Sequence, residues 1–409
     1  MAKGPVYAAI DIGTTKVCTL IGQVGTSGEI QVTGVGIAPS RGLLKGMVVN
    51  IDEAAEAIQL SVERAERTSG SRIASAHVGI TGAHIDCLNN RGMVTITRSD
   101  RLVSMEDVIR VMEAARAVGI PNNREIIHVL PRSYILDGQE GVRNPVGLHG
   151  FRLDVETHIV TGAITSIQNL TKCVEQAGIS IENLVLEPLA SGEAVLSEDE
   201  REMGVVLIDI GGGTTNMAIF SEGSAVHTAV VPIGGYQFTH DLVIGLRTPF
   251  AAAEEAKLAA GSVEPATIPI DEQIEITAFG EGVKRPMSRR LMSEILRARV
   301  DELLELIHDV IRQSGFMGLL PAGIVFTGGT ANLNGLATVA EQSLHMPARI
   351  GSPEGIYGLV DSISSPAYAT SIGLLLWAVH FNGEDNSKQP GFSLTEFIQN
   401  LLLLLKVKS

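Results

Sequence analysis

Three cysteines, Cys18, Cys87 and Cys173, are all that the 409 residues contain, and no CxxC or CxxH spacing occurs. That argues against a disulfide framework or a cysteine-based metal site and predicts reduced, buried thiols of a cytosolic protein. Basic residues are scarce beside acidic ones, 31 against 46, for a net charge of −15. A general nucleic-acid partner needs a basic footprint, so none is expected. Broad attraction to anionic lipid is excluded too, unless a local segment supplies it. No apolar run reaches the roughly 18 residues of a membrane span. The longest, Ser371–Val379 and Phe397–Leu405, fall well short. The opening Met-Ala-Lys-Gly-Pro leads straight into a strand, so no signal peptide is expected.

What is present points to a multi-domain globular protein. The length is large for one core, 45% of residues are apolar, and 44 glycines imply many turns. One short pattern occurs twice. Residues 6–15 read Val-Tyr-Ala-Ala-Ile-Asp-Ile-Gly-Thr-Thr, and residues 205–215 read Val-Val-Leu-Ile-Asp-Ile-Gly-Gly-Gly-Thr-Thr. Each predicts a strand, a tight glycine turn and a second strand. Two such hairpins so far apart predict two related lobes closing on one nucleotide.

The rest of the chain reads as alternating strands and helices. Helices are expected over 52–68, 104–118, 287–313 and 366–381, with Ser104 and Asp107 as a capping box. Short strands are expected at Thr267–Ile270 and Gln273–Ile276. The long helix 287–313 has Leu291, Ile295, Val300, Leu303, Leu304, Ile307, Val310 and Ile311 on its inner side. The texture changes between about 83 and 154, where a compact α+β unit is inserted. A polar stretch, 382–391, predicts a linker.

Phosphate recognition needs donors without bulk. Gly13 and the run Gly211, Gly212 and Gly213 let backbone N–H groups approach phosphate oxygens. Thr14, Thr15, Thr214 and Thr215 add hydroxyls. Asp11 and Asp209 would repel phosphate directly and make sense beside Mg2+, which keeps several waters. Lys16 can neutralise a phosphate as a point charge. Glu187, before Pro188, can orient the attacking water or a metal water, a catalytic assignment whose alternative is an ordinary N-terminal helix charge. Gly235 lies in a similar strand-to-helix turn. Glu254 and Lys257 share a helix face and can hold ribose hydroxyls, or form a plain solvated pair. Gly328, Gly329 and Thr330 suit close packing against base and ribose.

In this order, these segments are similar to those of the actin, heat-shock chaperone and sugar kinase superfamily. The resemblance implies an α/β, actin-like two-lobed ATPase fold with two duplicated lobes and an inserted α+β subdomain in lobe one. All the residues just named would line an ATP and Mg2+ cleft. Within the superfamily the chain resembles the bacterial cell-division FtsA family. The likeness rests on the opening Ala-Ala-Ile-Asp-Ile-Gly-Thr-Thr-Lys-Val, on Gly42-Leu-Leu-Lys-Gly-Met-Val and on Val78-Gly-Ile-Thr-Gly-Ala-His84. It rests also on Asn89-Asn-Arg-Gly-Met-Val, on Arg297-Ala-Arg-Val-Asp-Glu302, on the insert and on the tail.

That family implies an adapter rather than an enzyme, with at most weak ATPase activity. It would polymerise, bind the C-terminal peptide of FtsZ, and meet other division proteins through the insert. It would lie on the cytoplasmic face of the cell membrane at the division septum. The implied layout is a lobe-one core of 1–82, 155–202 and 357–381, with the insert at 83–154. Lobe two has its core at 203–235 and 295–356 and a small subdomain at 236–294. Lys284, Arg285, Arg289 and Arg290 can receive the acidic peptide there, or form a solvated basic rim.

The linker 382–391 leads to an amphipathic tail, 392–409. Phe392, Leu394, Phe397, Ile398, Leu401, Leu402 and Leu405 form its apolar stripe, and only Lys406 and Lys408 are basic. Anchoring to membrane lipid would rest on apolar burial more than on charge. The alternative is a helix docked on a partner or on its own lobe. A sugar kinase lacks a clear base aspartate and sugar pocket here. A chaperone would carry a long substrate domain. A pilus-assembly adapter would not end in a linker and tail, and an MreB-like filament would be shorter with a different insert.

Overall fold

The computed structural model describes residues 5–25, 29–279 and 283–381. The linker expected at 382–391 and the tail at 392–409 lie outside the described residues.

Two sheets repeat one plan. In the first, strand Val6–Ile12 pairs antiparallel with Lys16–Val24, which pairs antiparallel with Ile30–Pro39. On the other side of Val6–Ile12, strands Ser75–Ile80 and Ser180–Leu186 run parallel to it. Strand Ile356–Gly358 closes the far edge. The second sheet has Val205–Ile210, Thr215–Ser221 and Ser224–Val231 antiparallel, then Ile324–Thr327 and Ala348–Ile350 parallel on the opposite side. The register is equivalent in both hairpins: Asp11 faces Cys18 and Asp209 faces Asn216, each pair one step from the turn-closing pair. Duplication in the sequence is thus duplication of the lobe. Both leading strands are buried along almost their whole length, as strands covered on two faces must be.

The insert is a separate four-stranded antiparallel sheet. Its order is Asp86–Thr95, Arg152–Ala163, Arg124–Leu136, Gln139–Val142. Helix Met105–Arg116 covers one face, and the expected Ser104–Asp107 capping box is formed. The expected boundary at 154 falls inside a strand. Arg152–Ala163 pairs on both edges, with Asp86–Thr95 as far as Thr161 and with Arg124–Leu136 as far as Ala163. A strand bonded on both sides cannot be divided, so the insert's sheet runs on to the start of helix Ile164–Gln176.

By chain connection the insert belongs to lobe one, yet it rests on lobe two. His158 Nε2 lies 3.0 Å from Thr228 Oγ1, and the Cys87 thiol donates to the Thr228 carbonyl at 3.2 Å. The Arg132 guanidinium lies over the Phe316 ring of lobe two, and Arg143 pairs with Glu202 at the end of the lobe-one segment. Cys18 and Cys173 are buried free thiols as expected, but Cys87 at this seam is only half-buried.

Three local expectations change. Thr267–Ile270 is not a strand. A 3-10 turn occupies Pro265–Thr267, and Pro269 removes one of the donors a ladder over 267–270 needs. The long helix is Arg289–Ser314, starting two residues late because Lys284–Ser288 pairs with Gln273–Thr277 and Ser288 caps the helix. Its buried face is Met292, Leu296, Val300, Leu303, Leu304, Ile307 and Ile311. Leu291 is 42% exposed, one position out of phase.

The last described helix, Ala369–Phe381, crosses the connector helix Glu187–Val195 at contact distance. A Cβ on Gly373 would stand 1.8 Å from the Ala190 carbonyl oxygen. Both helices begin in the cleft between the lobes. Beyond the crossing, Glu193 receives Arg201 at 2.6 Å and His380 at 3.7 Å, with its side chain 19% exposed. Burial alone would raise this carboxyl, but Arg201 and His380 outweigh burial and hold it down to about 2. A depressed folded value stabilises the fold above the ordinary 4.5, and that stability is lost as pH falls through about 2. Glu193→Gln is therefore expected to cost on the order of 2–3 kcal/mol at pH 7, with the gap from wild type shrinking below pH 4.5. Urea unfolding of both proteins at pH 7 and pH 3 checks this; an equal gap at both would locate the effect elsewhere.

Candidate nucleotide site

The two hairpin turns are built alike. Gly13 N–H donates to the Lys16 carbonyl at 3.0 Å, and Gly211 N–H donates to the Thr214 carbonyl at 2.9 Å. They approach each other closely: a Cβ on Gly212 would lie 2.1 Å from Thr15 Oγ1. A cleft of about 530 Å³ opens between them and the third glycine loop. Asp11, Gly13, Thr14, Thr15, Lys16 and Glu187 line it from lobe one, the connector helix included. Asp209, Gly211, Gly212, Thr214, Gly235 and Lys257 line it from lobe two, joined by Glu254, Gly328, Gly329 and Thr330.

Two expected residues stand behind the turn. A Cβ on Gly213 would meet Thr14 Oγ1 at 2.6 Å and Lys45 Cα at 3.1 Å, so this glycine serves loop contact. The Thr215 hydroxyl donates to the Ile233 carbonyl at 2.7 Å, inside the sheet. Thr330 also has a structural tie, its hydroxyl donating to the Gly211 carbonyl at 3.2 Å.

Three buried carboxyls share the floor of the cleft. Asp11, Asp209 and Glu187 are 7%, 4% and 7% exposed. Burial pushes each of them up; Lys16 opposes this in all three. Glu187 is lifted well above the usual range, with the Asp11 and Asp209 charges adding to burial. Its Oε2 accepts from Asn216 Nδ2 at 2.8 Å, and Asn216 Oδ1 accepts from the Thr81 hydroxyl. Lys16 Nζ donates to the Ala367 carbonyl at 2.5 Å and stands 4.6 Å from the centroid of the Tyr368 ring. Three carboxyls against one ammonium make a site short of positive charge. The donor set suits Mg2+, a hard cation that takes one or two carboxylates and keeps water. Among the described residues no three His, Cys, Asp or Glu side chains converge to hold an ion directly.

Glu254 and Lys257 are more than a solvated pair. Lys257 Nζ donates to Gly235 O at 3.0 Å and Thr239 Oγ1 at 2.8 Å, and lies 2.8 Å from Glu254. Burial lowers its pKa, while Glu254 opposes that. Its three hydrogens all have protein acceptors, so Lys257 is a strut beneath the Gly235 turn. Tyr236 and Phe250, rings 4.7 Å apart, form an apolar wall with Leu258 and Leu333. None of these four was singled out from the sequence, since isolated apolar side chains carry no spacing signal.

The basic group divides. Lys284 and Arg285 are exposed on strand Lys284–Ser288. Arg289 is held by Glu272 at 2.7 Å and by the Ala260 carbonyl, and Arg290 lies 3.5 Å from Glu294.

A family model described as "Cell division protein FtsA" matches residues 206–373, and one described as "SHS2 domain inserted in FTSA" matches 82–161. The cell division protein FtsA of Pseudomonas aeruginosa is 44% identical over 377 residues, covering 92% of this chain and 90% of that one. This chain belongs to the FtsA family. The Escherichia coli FtsA is 38% identical, covering 92% of this chain and 91% of its own. The Bacillus subtilis FtsA is 37% identical, covering 97% and 88%.

Solved structures place the family's fold among actin-like proteins. A PilM–PilN type IV pilus biogenesis complex matches with a TM-score of 0.64 at 16% identity, covering 91% of this chain and 98% of that one. MreB5 of Spiroplasma citri bound to ADP matches with a TM-score of 0.53 at 13% identity, covering 90% and 94%. At such identities the likeness is one of fold. The actin-like two-lobed architecture expected from the paired hairpins is therefore the observed one, and the SHS2 match coincides with the extra sheet. No helix among the described residues is long and apolar enough to cross a membrane.

Proposed function

We propose that this FtsA-family protein binds ATP with Mg2+ between its lobes, assembles into filaments and tethers FtsZ to the cytoplasmic face of the membrane at the septum. The observation that carries the nucleotide part is the pair of equivalent phosphate turns facing one cleft above three carboxyls and a lysine. The two turns bring backbone close to the phosphates, with Thr14, Thr15 and Thr214 adding hydroxyls; the Gly13 and Gly211 N–H groups themselves close their turns onto the Lys16 and Thr214 carbonyls. Glu254 reaches the ribose while Lys257 holds it in place. Tyr236 and Phe250 flank the base. Bound Mg2+ supplies the positive charge that the carboxyls and the phosphates share.

Turnover is at most slow. Burial and the two neighbouring aspartates push the Glu187 carboxyl up, and it is the candidate group to orient the attacking water.

The small subdomain, about 236–294, receives the acidic C-terminal peptide of FtsZ, with Lys284 and Arg285 offering charge at its surface. Other division proteins meet the insert. The segment 392–409 anchors the assembly. Burying its large apolar side chains gives roughly 1.5–3 kcal/mol each, on the order of 10 in all before ordering costs. That is reversible for one copy and firm for a filament, through effective concentration.

Co-sedimentation with liposomes, FtsZ and ATP tests the reading. The full chain is expected to carry FtsZ down with the vesicles, and a chain ending at Phe381 is expected to leave it in solution. If truncation changes nothing, the tail is not the anchor. If FtsZ stays in solution with both, the tethering role fails.

A further inference from the structure

Behind the two phosphate-turn aspartates lies a row of buried hydroxyls that the binding role has not used. Ser371 Oγ donates to Asp11 Oδ2 at 2.7 Å, and Thr370 Oγ1 donates to Asp209 Oδ2 at 2.8 Å. Ser191 Oγ donates to Asp209 Oδ2 at 2.5 Å and lies 2.9 Å from Thr370 Oγ1. Ser191, Thr370 and Ser371 are 0%, 8% and 1% exposed. Thr370 and Ser371 are consecutive in the first turn of helix Ala369–Phe381, so their side chains leave it about 100° apart. One therefore reaches the aspartate of lobe one and the other the aspartate of lobe two.

In each carboxylate one oxygen is taken from behind, while the other lies toward a glycine loop, the first phosphate turn for Asp11 and the third loop for Asp209. Asp11 Oδ1 lies 3.9 Å from where a Gly13 Cβ would stand, and Asp209 Oδ1 lies 2.4 Å from the corresponding point on Gly328. A carboxylate without such a donor turns about its χ angles to satisfy both oxygens locally. Donors behind a metal-side carboxylate fix its orientation and are worth a large factor in cation affinity.

We propose that Thr370 and Ser371 are positioning residues of the nucleotide site, fixing Asp209 and Asp11 as a matched pair for one divalent cation between the lobes. This rests on the reading of the cleft as an ATP and Mg2+ site. Ser371 lies outside the lining of the cleft and Thr370 at it, but both hydroxyls are spent on the aspartates, so their effect is expected in the Mg2+-dependent part of binding. They also couple that part to a helix packed on the strands of lobe one and on the connector helix.

The test uses the full chain and a fluorescent ATP analogue, titrated in Mg2+ and again in EDTA, with melting temperature read first. Wild type is expected to bind more tightly in Mg2+. Ser371→Ala and Thr370→Val are each expected to reduce the ratio of the two affinities about tenfold. Affinity in EDTA should stay within about twofold of wild type. Ser371→Thr and Thr370→Ser, which keep the hydroxyl, are expected to retain the ratio. Should either deletion fail to fold, Ser371→Cys, close in shape but a weak donor, must show the same loss.

Equal losses in both buffers would make the hydroxyls supports of the fold and overturn the proposal. An unchanged ratio would overturn it as well. A wild type that binds ATP equally in both buffers would remove the cation. A wild type that binds no nucleotide would instead sink the reading of the cleft itself, an outcome visible before any variant is made.

Discussion

Gly373→Val is expected to leave the chain barely able to fold. The helix Ala369–Phe381 crosses Glu187–Val195 with Gly373 against the Ala190 backbone. A Cβ there would sit 1.8 Å from a carbonyl oxygen, 2.3 Å from its carbon and 3.1 Å from the next nitrogen. These are backbone atoms of a buried helix with no rotamer to yield. The crossing must open by an ångström or more, and the core of both lobes follows. Overpacking costs about 1–3 kcal/mol where side chains can adjust, and this site is stiffer than that. A fall of roughly 10 °C or more in melting temperature, or insoluble expression, is the expected result. A variant melting within about 3 °C of wild type would show that the helices do not meet as described.

Gly328→Ala is expected to abolish nucleotide binding with a smaller effect on stability. Gly328 has φ +88° and ψ 169°, a region essentially closed to residues with a Cβ. The added carbon would also stand 2.4 Å from Asp209 Oδ1 and 2.6 Å from the Ile210 carbonyl. To relieve both, the third loop must leave the second phosphate turn, taking the Thr330 tie to Gly211 with it. A loss of at least about 100-fold in ATP affinity is expected, equivalent to roughly 3 kcal/mol. Titration of the folded variant decides it; affinity within threefold of wild type would mean that the loop does not shape the site.

The features readable in the sequence were those that repeat or that change the local chemistry. Asp11-Ile-Gly and Asp209-Ile-Gly are visible because the same physical task, an acid beside a bulk-free turn, is written twice. The capping box at Ser104 is legible for a similar reason: it is complete within four residues. Pairing across the chain is not. Ser371 and Asp11 lie 360 positions apart, and a Thr-Ser pair opening a buried helix looks like any other small polar step. Gly213 and Thr215 were placed in the cleft because sequence cannot say which members of a glycine-threonine run face forward. The end of the insert is not legible near 154, because no breaker there marks where strand Arg152–Ala163 leaves it. Leu291 was misplaced because a long amphipathic pattern fixes a helix face only to within one residue.

The seam between the insert and lobe two makes the insert a lever. Thr228, which meets both His158 and Cys87, belongs to strand Ser224–Val231, and that strand leads through Pro232 and Ile233 into the Gly234–Gly235 turn. This turn lies directly on the second phosphate loop, where Gly235 N–H meets the Gly211 carbonyl at 2.9 Å. A shift of that loop has two routes outward: along its own strand, and sideways into a sheet tethered to the other lobe. Packed interiors transmit displacement rather than absorb it, so the insert and the second phosphate loop share one continuous path of packed backbone through Thr228.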